Sequence, residues 1–213
     1  LLINMPPQTG TSQLTSLWTP VWFLGNWPDK RILLASYNDQ RARYWGRNVR
    51  DALEANPSVG VRLSESTSAA DEWETSLGGG MKTAGVGGGL TGWPADLIII
   101  DDPHKDEAEA SSPTIRESVH EWWSGVARPR LRPGGSIIVN HTRWDQDDLT
   151  GFIKRNAASE SGPEWKHIKL PQYAEEGDVL GRAVGEVLWP EMYSPAQVAA
   201  MRRDMGNEDL WAS

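Results

Sequence analysis

The chain alternates between two hydrophobic regimes. Uninterrupted apolar runs, Leu1-Leu2-Ile3, Ile32-Leu33-Leu34-Ala35, Leu97-Ile98-Ile99-Ile100 and Ile137-Ile138-Val139, leave no polar alternation. That pattern belongs to strands buried on both faces of a parallel sheet. Between them apolar residues recur every three or four positions. Leu14, Leu17, Trp18, Val21 and Trp22 predict a helix over 13–24 with those side chains inward, kinked or shortened by Pro20. Asn38 is a good N-cap for a long helix to about Ala55 that buries Ala42, Trp45, Val49 and Leu53. Ser112-Pro113 opens a helix to Val126 that buries Ile115, Val119, Trp122 or Trp123, and Val126. Asp145 caps another helix, with Asp147 and Asp148 in its first turn, as the helix dipole prefers. A strand over 165–170, an irregular stretch over 171–193 and a last helix from Ser194-Pro195 to about Met205 complete the pattern. Strands alternating with helices predict an α/β fold with a parallel sheet.

Residues 56–92 differ. Short strands are expected over 59–63, 72–76 and 81–85, joined by Gly78-Gly79-Gly80 and followed by a glycine-rich run to Gly92. Two readings stand: plain hairpins with flexible connections, or a loop that moves to sense nucleotide or a neighbouring subunit.

Composition narrows the function classes. At 213 residues the prior is one domain with a full core. A net charge of −8 excludes a generally basic nucleic-acid coat, while leaving room for one local DNA-facing surface. Arg128, Arg130 and Arg132 form such a local cluster, equally readable as a solvated helix end. Without cysteine there is neither a disulfide framework nor a thiolate metal site. No apolar run approaches the length of a membrane span. The chain opens inside an apolar strand, so the expectation is a fragment trimmed at its N-terminus.

The candidate chemistry sits at strand ends. After the first strand, Pro6 and Pro7 stop the extended chain, Gly10 permits a tight turn and Ser12 stands where a helix begins. Such a loop aims bare N–H groups at one spot, an anion site. Against the phosphate-loop pattern G-x-x-x-x-G-K-[ST], only Gly10 and Ser12 match; Met5 and Thr11 occupy the other two positions. Alone, the stretch is also an ordinary strand-to-helix turn. Asp101 and Asp102 follow the Leu97–Ile100 run, at the strand end where parallel sheets place their ligand crevice. Adjacent carboxylates there suit Mg²⁺ and activation of a water. Thr142 and Arg143 follow a third strand and fall on the same edge.

Taken in order, Pro6-Pro7-Gln8-Thr9-Gly10-Thr11-Ser12-Gln13, Ala35-Ser36-Tyr37-Asn38, Gly88-Gly89-Leu90-Thr91-Gly92, Leu97-Ile98-Ile99-Ile100-Asp101-Asp102-Pro103 and Thr142-Arg143-Trp144-Asp145-Gln146-Asp147-Asp148-Leu149 resemble the ATPase domain of the large terminase subunit of tailed bacteriophages. The resemblance implies a RecA-like, additional-strand P-loop ATPase: a central, mostly parallel sheet flanked by helices, with a small β-hairpin and glycine-rich insertion. It implies ATP and Mg²⁺, and a motor that drives double-stranded DNA into a procapsid in the host bacterial cytoplasm. Its implied partners are the portal protein, a small terminase subunit that chooses the DNA, and further copies of the chain in a ring on the portal, with no membrane involved. Residues 1–193 would form the ATPase domain, and 194–213 a helix and linker toward a C-terminal nuclease domain.

Carried over by position, Gln8, Thr9, Gly10, Thr11 and Ser12 resemble the Walker A loop, with Ser12 a Mg²⁺ ligand. Asp101 resembles the Walker B aspartate, and Asp102 stands at the catalytic carboxylate position. Thr142 and Arg143 resemble the motif that senses the γ-phosphate. Two positions depart: Thr11 stands for the phosphate-binding Lys, and Trp93 stands where an Arg able to act in trans is expected. Lys105 and Arg143 follow strand ends on the correct edge, and Arg143 is the better surrogate cation. The alternatives are a non-catalytic or weakly nucleotide-binding relic or assembly domain, and a helicase-like P-loop ATPase, which is disfavoured because the chain lacks a second RecA-like domain with helicase motifs.

Overall fold

The computed structural model describes residues 1–90, 92–158 and 163–205. Strands β1 (Leu2–Asn4), β2 (Arg31–Ser36), β3 (Leu63–Ser68), β4 (Glu72–Thr75), β5 (Gly80–Gly85), β6 (Ala95–Asp101), β7 (Leu131–Asn140) and β8 (His167–Lys169) form one sheet in the order β3-β4-β5-β2-β6-β7-β1-β8. From β5 to β8 every neighbouring pair is parallel. β4 runs antiparallel to both β3 and β5, so the hairpin expected as an insertion extends the main sheet. The helices are α1 (Thr19–Asn26), α2 (Asp39–Ala55), α3 (Glu107–Ser111), α4 (Pro113–Trp122), α5 (Leu149–Ala157) and α6 (Pro195–Met205).

The apolar runs do what period-two geometry requires. In β2, Leu33 and Ala35 enter one core with Ile98 and Ile100 of β6, while Ile32 and Leu34 enter the other with Leu97 and Ile99. The register matches Leu33 with Ile98 and Leu34 with Ile99, so each layer continues across strands. Val119, Trp122 and Ile153 cover the first face; Leu24, Trp45, Val49 and Leu53 cover the second. Both faces are thus removed from water, which is why these strands carry no polar alternation.

Four local expectations require correction. The segment over 13–24 is helical, but Gln13–Trp18 is a π-helix leading into α1. Pro20 has no N–H to give Ser16, and the wider turn accommodates its ring. Thr19 reaches back five residues instead, its hydroxyl donating to the Leu14 carbonyl at 2.8 Å. The altered turn changes which side chains face inward. Thr15, Ser16, Val21 and Leu24 are buried, whereas Leu14, Trp18 and Trp22, expected inside, lie 60%, 52% and 59% exposed. The strand expected over 59–63 begins only at Leu63, because Pro57–Val59 forms a 3₁₀ turn closed by Gly60 in left-handed conformation. Asp148, not Asp145, caps α5, accepting from the Gly151 N–H at 3.0 Å. Ile115 also stays largely outside the core, with α4 burying Val119 and Trp122.

Asn38 caps α2 as its sequence suggests, accepting from the Arg41 N–H at 2.8 Å. The glycine-rich run turns back beneath the sheet: Leu90 and Trp93 are buried, and Thr91 lies outside the described residues. Residues 206–213, read as a linker, also lie outside them.

Candidate functional site

The C-terminal ends of β1, β2, β6 and β7 meet at one edge of the sheet. β1 is separated from β2 by β7 and β6, so the chain crosses two strands between its first loop and its second strand. Ligand crevices of parallel sheets form at such strand ends. Here a cleft of about 260 Å³ is walled by the 5–13 segment, Arg41, Asp102, Asn140 and Thr142.

The loop after β1 is shaped by its own contacts. Gly10 takes φ +85°, a conformation costly for residues with a Cβ. The Thr9 hydroxyl donates to the Pro6 carbonyl at 2.7 Å, and the Thr11 hydroxyl to Met5 Sδ at 3.2 Å. Leu14 N–H returns to the Gly10 carbonyl at 3.1 Å, starting the helix. Among the described residues no acceptor takes the N–H groups of Gly10, Thr11 and Ser12, which leaves the helix entrance able to bind an anion.

Asp101 ends β6 fully buried. Its Oδ1 accepts from the Ser12 hydroxyl at 2.9 Å and from Asn140 Nδ2 at 2.8 Å. Among the described residues its Oδ2 has no hydrogen-bond partner. An unpartnered buried carboxylate oxygen beside a serine hydroxyl fits a Mg²⁺ site of the kind that phosphate loops build. Burial raises the Asp101 pKa, against the pull of Ser12, Asn140 and Arg41. Asp102 is pushed up to about 7, first by burial and then by the Asp101 charge, with the Thr142 backbone N–H and Arg41 opposing. Its backbone continues the sheet: Asp102 N–H donates to the Asn140 carbonyl and Tyr37 N–H to the Asp102 carbonyl, both at 2.9 Å.

Among the described residues only Gln8 and Asp102 hold a positive φ without being glycine, 61° and 48°. Both line the cleft. Such strain persists where surrounding structure enforces it, and it clusters at functional sites.

The structure brings Gln8, Thr9, Gly10, Thr11, Ser12, Asp102 and Thr142 to the cleft, with Asp101 behind Ser12. It does not bring Arg143 there. Arg143 Nε donates to the buried Asp148 carboxylate at 2.5 Å, and its Nη2 to the Asp145 carbonyl at 3.2 Å. Asp148 is at once the α5 cap and the Arg143 partner, so the turn after Thr142 closes on itself. We expect Arg143→Ala to lower stability by about 3 kcal/mol, because it strands a buried carboxylate. Its nucleotide affinity should stay unchanged; thermal unfolding and titration calorimetry check the two halves. Trp93 is equally remote from the cleft, donating its indole N–H to the Ile32 carbonyl at 3.1 Å under the Arg31 guanidinium. That is the N-terminal edge of β2, so a side chain there does not face the cleft. The Arg128–Arg132 cluster lies on the same far edge, where Arg132 pairs with Asp96 at 2.9 Å.

Sequence reasoning missed two residues. Asn140 carries no local signal beyond a strand end; its position opposite Asp101 follows from the parallel register of β6 and β7. Arg41 sits in a polar helix start, where the local pattern says only that it is near the surface.

No family description matches the sequence, and no curated protein does. Solved structures with a similar fold exist. The ATPase domain of the large terminase of Thermus phage P74-26 superposes with a TM-score of 0.58 at 16% identity, covering 98% of this chain and 83% of that one. The large terminase of bacteriophage HK97 gives 0.54 at 14% identity, over 93% of this chain. The present chain spans 39% of the HK97 protein. The chain therefore has the fold of these terminase ATPase domains, a mostly parallel sheet flanked by helices.

Proposed function

We propose that this chain is a nucleotide-hydrolysing motor domain of the large-terminase type. It would couple ATP hydrolysis to movement of double-stranded DNA into a procapsid, in the host cytoplasm. The portal, a small terminase subunit and further copies of itself would be its partners. Residues 1–193 would form the motor and 194–213 lead toward a nuclease domain. The observation that carries the reading is the Ser12 hydroxyl on Asp101 at 2.9 Å, with Asp101 Oδ2 unpartnered and Asp102 beside it in the cleft.

The residues divide the chemistry among them. The free N–H groups of Gly10, Thr11 and Ser12 would bind phosphate oxygens at the helix entrance. Ser12 and Asp101 would hold Mg²⁺, whose charge offsets that of the phosphates. Asp102, once ionised, would accept a proton from the water it orients toward the terminal phosphate. Thr142, whose backbone N–H favours the ionised form of Asp102, would link the carboxylate to the end of β7. This arrangement uses position and electrostatics rather than a covalent intermediate.

A base must be deprotonated to act. Asp102 sits near 7 in the metal-free chain and Mg²⁺ on Asp101 would lower it, so phosphate release should rise with pH from the acid side and level off at or below about 7. A single-turnover profile from pH 5.5 to 9 checks this; a rate still rising steeply above pH 8 would assign the titration to another group. A non-catalytic assembly domain is the second reading, favoured by Thr11, which offers no charge to phosphate. Titration calorimetry with ATP and Mg²⁺ separates the two, because the motor reading requires saturable binding and the assembly reading does not.

A further inference from the structure

We infer that Arg41, presented by the first turn of α2 beside the Gly10–Ser12 loop, is the cation that binds the terminal phosphates where Thr11 supplies none. The inference rests on the nucleotide reading above and names the residue that would make it work.

Arg41 lines the same cleft as Gly10, Ser12, Asp102 and Thr142. The other cations considered are committed elsewhere. Arg143 is paired with Asp148, Lys30 lies 3.8 Å from Asp96 at the far edge of the sheet, and Lys105 reaches Asp106 at 3.8 Å. Among the described residues the Arg41 guanidinium forms no ion pair. It lies over the rings of Tyr44 and Trp45, at 5.3 and 4.8 Å from their centroids. Ring faces hold a guanidinium in place without using up its N–H donors. Its planar fork matches two phosphate oxygens at once, which a lysine ammonium does as a point charge.

The backbone under Arg41 is fixed. Asn38 Oδ1 accepts its N–H at 2.8 Å, Asp39 Oδ1 accepts the Gly85 N–H at 2.6 Å, and Trp73 Nε1 donates to the Gly46 carbonyl at 3.0 Å. These contacts tie the first turns of α2 to β4 and the end of β5. Gly46 also allows that approach, because a Cβ there would meet the Ala70 carbonyl at 2.6 Å. The field of Arg41 reaches both Asp101 and Asp102 and favours their ionised forms, as expected of a cation sharing their cleft.

The test is titration calorimetry of AMP-PNP with Mg²⁺ into the unaltered chain, Arg41→Ala, Arg41→Lys, Thr11→Lys and the Arg41→Ala/Thr11→Lys double variant. Arg41→Ala should weaken binding by roughly 10–100-fold, the loss of a charge-assisted contact. Arg41→Lys should recover part of it, and Thr11→Lys should restore binding in the Arg41→Ala background. The melting temperature should fall by no more than a few degrees, the loss of the ring-face contacts to Tyr44 and Trp45. If the unaltered chain binds and Arg41→Ala binds within twofold of it, Arg41 is not the phosphate cation and the nucleotide reading stands. If only variants carrying Thr11→Lys bind, Arg41 does not substitute for the lysine, and the fold retains a repairable site. If neither the unaltered chain nor Thr11→Lys binds at millimolar nucleotide, the nucleotide reading falls and this inference with it.

Discussion

Asp102→Asn should abolish turnover, by about 10²–10⁴-fold, while leaving nucleotide affinity within a few-fold. An amide keeps the size and hydrogen-bonding capacity of the carboxyl but takes no proton. Asn also tolerates the left-handed backbone, so the 48° φ at this position imposes no new strain. The same substitution should stabilise the fold above neutrality. The Asp102 carboxyl keeps its proton up to about 7 when folded, well above an unfolded aspartate. Folding therefore binds a proton between those two values, and stability contributed by the protonated form is lost as pH rises through about 7. Above that pH the half-buried Asp102 is charged beside the buried Asp101 carboxyl, and Asn removes that charge. The variant should melt higher than the unaltered chain at pH 8, and the difference should vanish near pH 4. Phosphate release and thermal melts at the two pH values check both halves. A variant that hydrolyses normally moves the base elsewhere; one that melts lower at pH 8 shows that Asp102 is not held against its charge.

Thr11→Lys should raise turnover at least about tenfold. Removing one preorganised electrostatic donor typically costs ~3–4 kcal/mol, or 10²–10³ in rate, so restoring one recovers up to that amount. Arg41, sharing the cleft, would already supply part, which sets the lower figure. The substitution is structurally mild: the Thr11 hydroxyl gives up a 3.2 Å contact to Met5 Sδ and a 3.4 Å contact to Thr9. Its side chain already lines the cleft, so a lysine there has room to reach phosphate. Single-turnover phosphate release by both chains under saturating ATP and Mg²⁺ is the measurement. Equal rates would mean that charge at this position does not limit the reaction.

The cleft is made of residues brought together by strand order, and that divides what local pattern reveals from what it does not. The runs of β2 and β6, the Asn38 cap and inner face of α2, and the Asp101-Asp102 pair at a strand end were all legible in the sequence. A strand covered on both faces must be apolar throughout, and a helix with one buried face must repeat every three or four residues. Where a backbone irregularity breaks the period, the reading failed. The π-helical turn Gln13–Trp18 leaves Leu14, Trp18 and, in α1, Trp22 facing outward where the ordinary helical repeat placed them inside, because Pro20 forces a wider turn. The placement of Arg143, Trp93 and Arg41 was invisible for a different reason. Arg143 could be put at the correct edge, yet its capture by Asp148 depends on how the turn before α5 closes. Arg41 reads as one more charge on a polar helix start. Only the seating of β2 beside β6, with β1 across the sheet, brings the first turn of α2 over a loop more than twenty residues earlier in the chain. Periodicity records which face of an element avoids water. Which elements become neighbours is decided by packing across the whole sheet, and the cleft is made from those neighbours.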